Sequence, residues 1–235
     1  IVLGFMLLLQ IPAVQKKMAN ELTVWIEQEY QIQIHLDKMK PGILGSFQLE
    51  DLLLLDSHSD TLIYIEELKI QASSLSFTDF KKVYMEGLVV SCQYQDSIFD
   101  GELYKFFKPF FNSNKQSKPI LIDDFWINRA SIDYGNDIEK RHFRELDLYL
   151  KDCRLSSDTE FVLSNLNWEM LKGAKHQIEA NHVQFSQKGC SIDGFNWESG
   201  GSILKLDLNQ NKLNNSSLLK IHKFRVNKES FIGLF

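Results

Sequence analysis

The feature that most constrains this chain is its period. After residue 30, apolar side chains recur at every second position in one segment after another, and helical spacing returns only once. A strand sends alternate residues to opposite faces, so such segments are half-buried strands with one apolar side. The stretch "DSHSDTLIYIEELKI", residues 56–70, shows the design: a polar turn feeds an alternating run that loses its alternation at Glu66 and Glu67. Leu146, Leu148 and Leu150 face one way and Glu145, Asp147 and Lys151 the other; Leu204, Leu206 and Leu208 repeat this against Lys205, Asp207 and Asn209. Strands are expected near 47–55, 61–72, 83–95, 120–134, 143–155, 160–170, 177–186, 191–198, 202–209 and 218–227, after a short one from Gln31 to Leu36. Asp, Ser, Asn and Gly clusters separate them. Two of the longest are expected to carry a bulge or break. The fold class that follows is mainly β, an elongated antiparallel sheet.

Helical spacing occurs in two places. In "PAVQKKMANELTVWIEQEY", Pro12 suits a first helical turn, and Val14, Met18, Leu22, Trp25 and Ile26 form a stripe opposite Lys16, Lys17, Glu21, Glu27 and Gln28. Ahead of it Ile1, Val2, Leu3, Phe5, Met6, Leu7, Leu8 and Leu9 lie in an uncharged run. A spanning helix needs roughly 20 apolar residues, so this run reads as the end of a membrane anchor or signal sequence. The second place is "GELYKFFKPFFN", where Leu103, Phe106, Phe107 and Phe110 make a stripe shortened by Pro109. It predicts a short helix near 101–111 capping the sheet. The polar loop at 112–119 marks a soft boundary, giving an anchor end and helix over 1–30 and sheet modules over 31–111 and 120–235.

Two helices cannot cover ten or so strands. The apolar face then meets a second sheet, closes into a barrel, or curls around an apolar ligand. A membrane barrel fits poorly, because its lumen is polar and its strands are joined by tight turns.

The net charge of −5 leaves no electrostatic footprint for a nucleic-acid partner. Cys92, Cys153 and Cys190 are too scattered for a disulfide framework or a zinc site. Phosphate-loop, zinc-protease, nucleophile-elbow and dinucleotide motifs are absent from the sequence, so neither an enzyme nor a cofactor is expected. Asp56, His58 and Asp60 read as a solvated turn with side-chain caps, not as metal ligands. Asp123 and Asp124, adjacent on a strand, are expected on opposite faces. His176 and His182, among polar neighbours, are expected to be exposed.

A resemblance completes the reading. "LLQIPAVQKKMANELTVWIEQEYQIQI" followed by "FQLEDLLLLDSHSDTLIYIEELKI" resembles the start of the TamB family, the inner-membrane subunits of the translocation and assembly module, in its Bacteroidota form. The signature is Ile11-Pro12-x-Val14-Gln15 after an apolar run, a short strand, and a turn with Asp56, Asp60, Thr61 and Leu62. Residues 119–155 and Gly194-Phe195 resemble the family's following repeats more weakly. The resemblance implies the AsmA-like, bridge-like lipid-transfer superfamily: a single-pass inner-membrane anchor and a long curled sheet in the periplasm of a Gram-negative bacterium, with phospholipid as the bound ligand. On this reading Leu88, Val90, Leu146, Leu148, Leu150, Leu204, Leu206 and Leu208 line an apolar groove. Membrane lipids are the partners, together with an outer-membrane barrel of the TamA or Omp85 type, whose docking region is not recognisable in this sequence. Two other readings stay open: a scaffold that holds outer-membrane strands along its edge, and a tether whose apolar faces close on each other.

Overall fold

The computed structural model describes residues 11–30, 33–42, 45–55, 59–73, 78–93, 118–135, 140–156, 158–170 and 175–227. Helix α1 (Pro12–Tyr30) precedes β1 (Gln33–Pro41), β2 (Phe47–Leu55), β3 (Thr61–Ala72), β4 (Asp79–Glu86), β5 (Val89–Gln93), β6 (Ile120–Gly135), β7 (Lys140–Leu155), β8 (Thr159–Met170), β9 (Lys175–Ser186), β10 (Gly189–Ser199), β11 (Ser202–Asn211) and β12 (Ser216–Arg225). The chain is mainly β, as its period predicts, and the twelve strands form one sheet in the order β1-β2-β3-β4-β6 and onward to β12. The apolar run Ile1–Leu9, the segment 101–111 expected to be helical and most of the loop at 112–119 lie outside the described residues. Among the described residues, no helix is long and apolar enough to cross a membrane.

Strand β5 pairs with both β3 and β6, as β4 does, so the single strand expected near 83–95 is one path interrupted at Gly87. Gly87 has φ +62, and a Cβ there would come within 2.6 Å of the Glu66 carboxylate. Neighbours are antiparallel everywhere except at this join, where β4 and β5 run parallel to β6. A hairpin cannot link parallel strands; only a longer connection returns the chain to the starting end of the sheet. The linker from β5 to β6 has that length, and alternation within strands carries no trace of it.

The break at Glu66 and Glu67 is part of a wider pattern. Ile65 and Leu68, three apart, pack into the same apolar cluster, which leaves the two glutamates between them on the other side. Leu49 and Leu52 do the same in β2 around Glu50 and Asp51, and Leu36 and Leu52 are register partners. The step recurs at Asn128-Arg129 in β6 and at Asp193-Gly194 in β10, where register shifts fall. Keeping two successive residues on one side of a strand interrupts the pleat: the β6 and β10 steps do it with bulges, whereas β2 and β3 stay in register across theirs. Asp51, Arg129 and Glu145 accept the positive φ this demands, at +55, +52 and +49, and Gly194 takes it at +65 without a Cβ penalty.

A bulge frees a backbone amide, and here a carboxylate on the next strand captures it. Arg129 N–H donates to Asp147 at 2.9 Å, and Gly194 N–H donates to Asp207 at 2.8 Å. The same pairing therefore appears at β6/β7 and at β10/β11. Such steps bend strands and raise their twist, so a line of them across a sheet favours coiling.

Candidate functional site

Register partners in a sheet share a face, so the pairings map the two surfaces directly. One row runs without interruption through Met39, Leu49, Leu68, Met85 and Ile127. It continues through Leu148, Leu166, Ile178, Trp197, Leu204 and Phe224, crossing eleven strands from β1 to β12. A second row beside it passes from Phe47 and Ile70 to Val83, Phe125, Leu150 and Leu163. Every residue in these rows is apolar.

The sequence-predicted lining residues all map to this side. Leu148 and Leu204 are members of the first row, and Leu150 of the second. Leu146 pairs with the buried Ala130, Leu206 with Phe195 and Leu208 with Ile192. Val90 pairs with buried Ile63, and Leu88 packs on the cluster of Ile34, Leu54, Ile63 and Ile65.

Among the described residues, α1 is the helix that packs on this face, and it covers only the beginning. Ala19 is fully buried against Leu36 and Leu49, while Ile26 packs on the cluster that contains Ile34. Trp25, expected within the buried stripe, is 55% exposed. Glu27, expected outside, turns inward to accept the Ile34 N–H at 3.3 Å. The helix tilts its Ala19-Leu22-Ile26 side to the sheet because a small residue allows close approach, which the bulk of Trp25 does not. Between α1 and Met39 lies an apolar recess of about 610 Å³, lined by Val14, Met18 and Leu22 among others. The first row starts at its wall. At the far end, strand β12 is exposed along its whole length, with Phe224 at 66% and Ile221 at 56%.

The opposite face is polar and cross-linked. Gln48 Nε2 donates to Glu50 at 2.9 Å and to Glu67 at 2.5 Å, and Lys40 and Lys38 both pair with Glu50. The hydrogen bond from Lys40 holds the Glu50 carboxyl below its ordinary range. Arg129 reaches from β6 to Glu86 on β4 and, at 3.1 Å, to Glu66 on β3. Burial opposes ionisation of Glu86, yet hydrogen bonds from Tyr84 and Arg129 outweigh it and lower its pKa. Tyr64 donates to Asp51 at 2.6 Å, and this bond pushes the phenol up to about 12. Trp126 stacks on Tyr149 with centroids 3.6 Å apart, and Lys82 lies 5.7 Å from the Trp126 ring. Exposed pairs of this kind contribute little each. Their effect is to keep this face wet and the other one dry.

Three sequence expectations need correction here. His176 is not exposed: it is 2% accessible and sits on the apolar side, paired with Trp168 and Ser199. His182 is half-buried and pairs with Asp193. Asp123 and Asp124 do not take opposite faces, since Ile122 and Phe125 both belong to the apolar cluster around Val83. Asp152 on the facing strand has φ +50, so the pleat is interrupted there and both carboxylates stay on the polar side. Tyr149 donates to Asp124 at 2.6 Å.

Of the Asp56-His58-Asp60 turn, only Asp60 falls within the described residues. No group of three or more His, Cys, Asp or Glu able to hold a metal ion occurs among the described residues. Cys153 is a buried thiol whose desolvation pushes its pKa up to about 11, and Cys190 is half-buried; neither is bonded to another cysteine. A thiol held protonated in this way is inert packing rather than a nucleophile.

What the fold and face define is a class: a single-sheet β protein with one wet side and one continuous apolar side. In comparison with known proteins, no protein-family model matches the chain, and no curated protein matches it significantly.

Proposed function

We propose that this chain is a section of an inner-membrane-anchored bridge that conducts phospholipids across the periplasm to the outer membrane, along a β-groove formed by its apolar face. The observation that carries the reading is the uncharged row from Met39 to Phe224, unbroken across eleven paired strands. At ~4.8 Å per strand, such a row extends roughly 50 Å. Each acyl CH₂ placed on it gains about 0.8 kcal/mol, so chains are held without any catalytic group. The line of bulges supports a sheet coiled about this face, and the polar side keeps the outside solvated. The recess beside α1 gives the groove an apolar beginning next to the segment resembling a membrane anchor. Outer-membrane biogenesis with a TamA or Omp85-type barrel follows from the family resemblance.

A second reading has its own observation. The outer edge of β12 has no strand beside it among the described residues, and an exposed edge with apolar side chains suits β-augmentation by an outer-membrane protein segment. Photo-crosslinkers separate the two. Probes at Leu148 and Leu206 are expected to capture lipid, while probes at Asp147 and Lys205 on the wet side are not. Equal labelling at all four positions, or labelling at none, refutes the groove; capture of unfolded polypeptide at Leu218 together with absent lipid favours the scaffold.

A further inference from the structure

Among the described residues, polar side chains gather on the apolar face at one end of β8 to β11. Trp168, His176, Ser199 and Ser202 are successive register partners across β8, β9, β10 and β11. They form the row next to Leu166, Ile178, Trp197 and Leu204, at the end of these strands. The His176 ring stacks on Trp168 with centroids 4.7 Å apart and lies 6.2 Å from Trp197. His176 is 2% exposed and Ser199 3%. The Ser202 hydroxyl accepts the Asn227 N–H at 2.8 Å, so that group is satisfied. The Trp168 indole N–H, both His176 ring nitrogens and the Ser199 hydroxyl have no hydrogen-bond partner.

Buried polar atoms left unpaired are costly, and four of them within adjoining residues call for a partner atom. We infer that this row is a hydrogen-bonding site for the ester carbonyl of an acyl lipid lying on the apolar face. The inference rests on the lipid-bridge reading and names which part of the lipid the protein recognises. The donor set decides the chemistry. Indole offers a single N–H, a serine hydroxyl one O–H, and a neutral imidazole one N–H beside one acceptor nitrogen, so three of the four unpaired groups can donate to an acceptor. Burial lowers the pKa of His176 and keeps the ring neutral. The neighbouring Lys175 pairs with Glu169 in the register of the opposite face. A buried phosphate would therefore lack a countercharge here, whereas an uncharged carbonyl needs none. Apolar rows beside the cluster receive the acyl chains that the carbonyl terminates, and a lipid so held lies with its glycerol at the strand ends and its tails along the rows.

The test compares two uncharged probes, 1,2-dioctanoylglycerol and its diether counterpart lacking the carbonyls, binding to the purified chain in nonionic detergent. The wild-type protein is expected to prefer the diester by about tenfold, the difference made by one or two buried hydrogen bonds. In His176→Phe and, separately, Trp168→Phe that preference should fall to about twofold or less, with circular dichroism confirming the sheet. Equal affinity of the wild-type protein for both probes overturns the site and leaves water alone as its occupant, while the groove stands. An undiminished preference in both variants also overturns it. If neither probe binds, both the site and the groove fail.

Discussion

Replacing Leu148 by aspartate separates an open apolar face from a closed core. Leu148 stands in the middle of the first row, between Ile127 and Leu166, and is half-buried. Full burial of a leucine is worth roughly 1.5–3 kcal/mol, so removing the isobutyl group from a half-covered position costs about 1 kcal/mol. The poor strand propensity of aspartate adds up to about 1 kcal/mol. With the face open, the carboxylate reaches water or a lipid headgroup and the total stays near 2 kcal/mol. With a second layer over the face, an unpaired charge is trapped, and the cost rises by several kcal/mol more. Ile65, 6% exposed in the cluster on which α1 packs, supplies the internal comparison. Urea denaturation of the two variants measures the difference: Leu148→Asp should retain a cooperative transition at slightly lower urea, and Ile65→Asp should lose it. In cells that depend on the protein, the folded Leu148→Asp variant should fail to restore outer-membrane integrity, because acyl chains meet a charge in mid-path. Equal, severe destabilisation at both positions refutes the open face, and full function of a folded Leu148→Asp variant refutes conduction along this row.

Further outcomes follow from local geometry. Asp147→Ala strands the Arg129 amide and should cost about 1 kcal/mol in urea unfolding, with Asp147→Asn recovering most of it; no loss on alanine substitution would mean the bulge needs no acceptor. Asp207 is held below the ordinary aspartate range by the Gly194 amide first and then by His222, so its stabilising effect is complete above about pH 4 and is lost as pH falls through the lowered pKa. Asp207→Asn should accordingly flatten the acid limb of the stability curve, and an unchanged limb would exclude this linkage. Ultraviolet titration of wild type minus Tyr64→Phe should show a phenol ionising at about 12; a difference signal near 10 would mean the Asp51 contact does not form in solution. A Cβ at Gly189 would sit 1.8 Å from the Gln210 backbone oxygen, while one at Gly194 would meet the movable Asn181 side chain first. Gly189→Ala should therefore destabilise by roughly 3 kcal/mol and Gly194→Ala by about 1–2 kcal/mol, the reverse order being the outcome that counts against this hairpin geometry.

The strands and their apolar sides are legible in the sequence because side-chain period is local. Leu204, Leu206 and Leu208 declare a face with no knowledge of their partners. The polar step at Glu66 and Glu67 is visible too, but its recurrence at Asn128-Arg129 and Asp193-Gly194 gains meaning only once register places each step against its neighbour. Register depends on how strands meet, and no single strand records it. The parallel join at β6 is hidden for the same reason. His176 misleads because "KHQIEANH" is polar in composition; its parity with Ile178 and Ala180 is the signal that places it inward. Trp25 misleads in the other direction, since spacing on a helix fixes an angle but not which large residue the partner surface has room for.

Among the described residues, most contacts between strands fall between immediate neighbours, with Arg129 reaching one strand further to Glu66, and α1 packs at one end of the series. Thermodynamically that makes the molecule a one-dimensional zipper, with each strand's persistence set by the strand on either side. Among the described residues, opening should begin where a strand has one neighbour and no helix over it, at β12, and progress inward toward β1. Hydrogen exchange would then read as a gradient, fastest in the β12 amides and slowest beneath α1, in place of the single global rate of a closed core. Damage to one strand would loosen everything on its β12 side while sparing what lies toward α1. For a protein built in this way, position along the series is itself a measure of local lifetime.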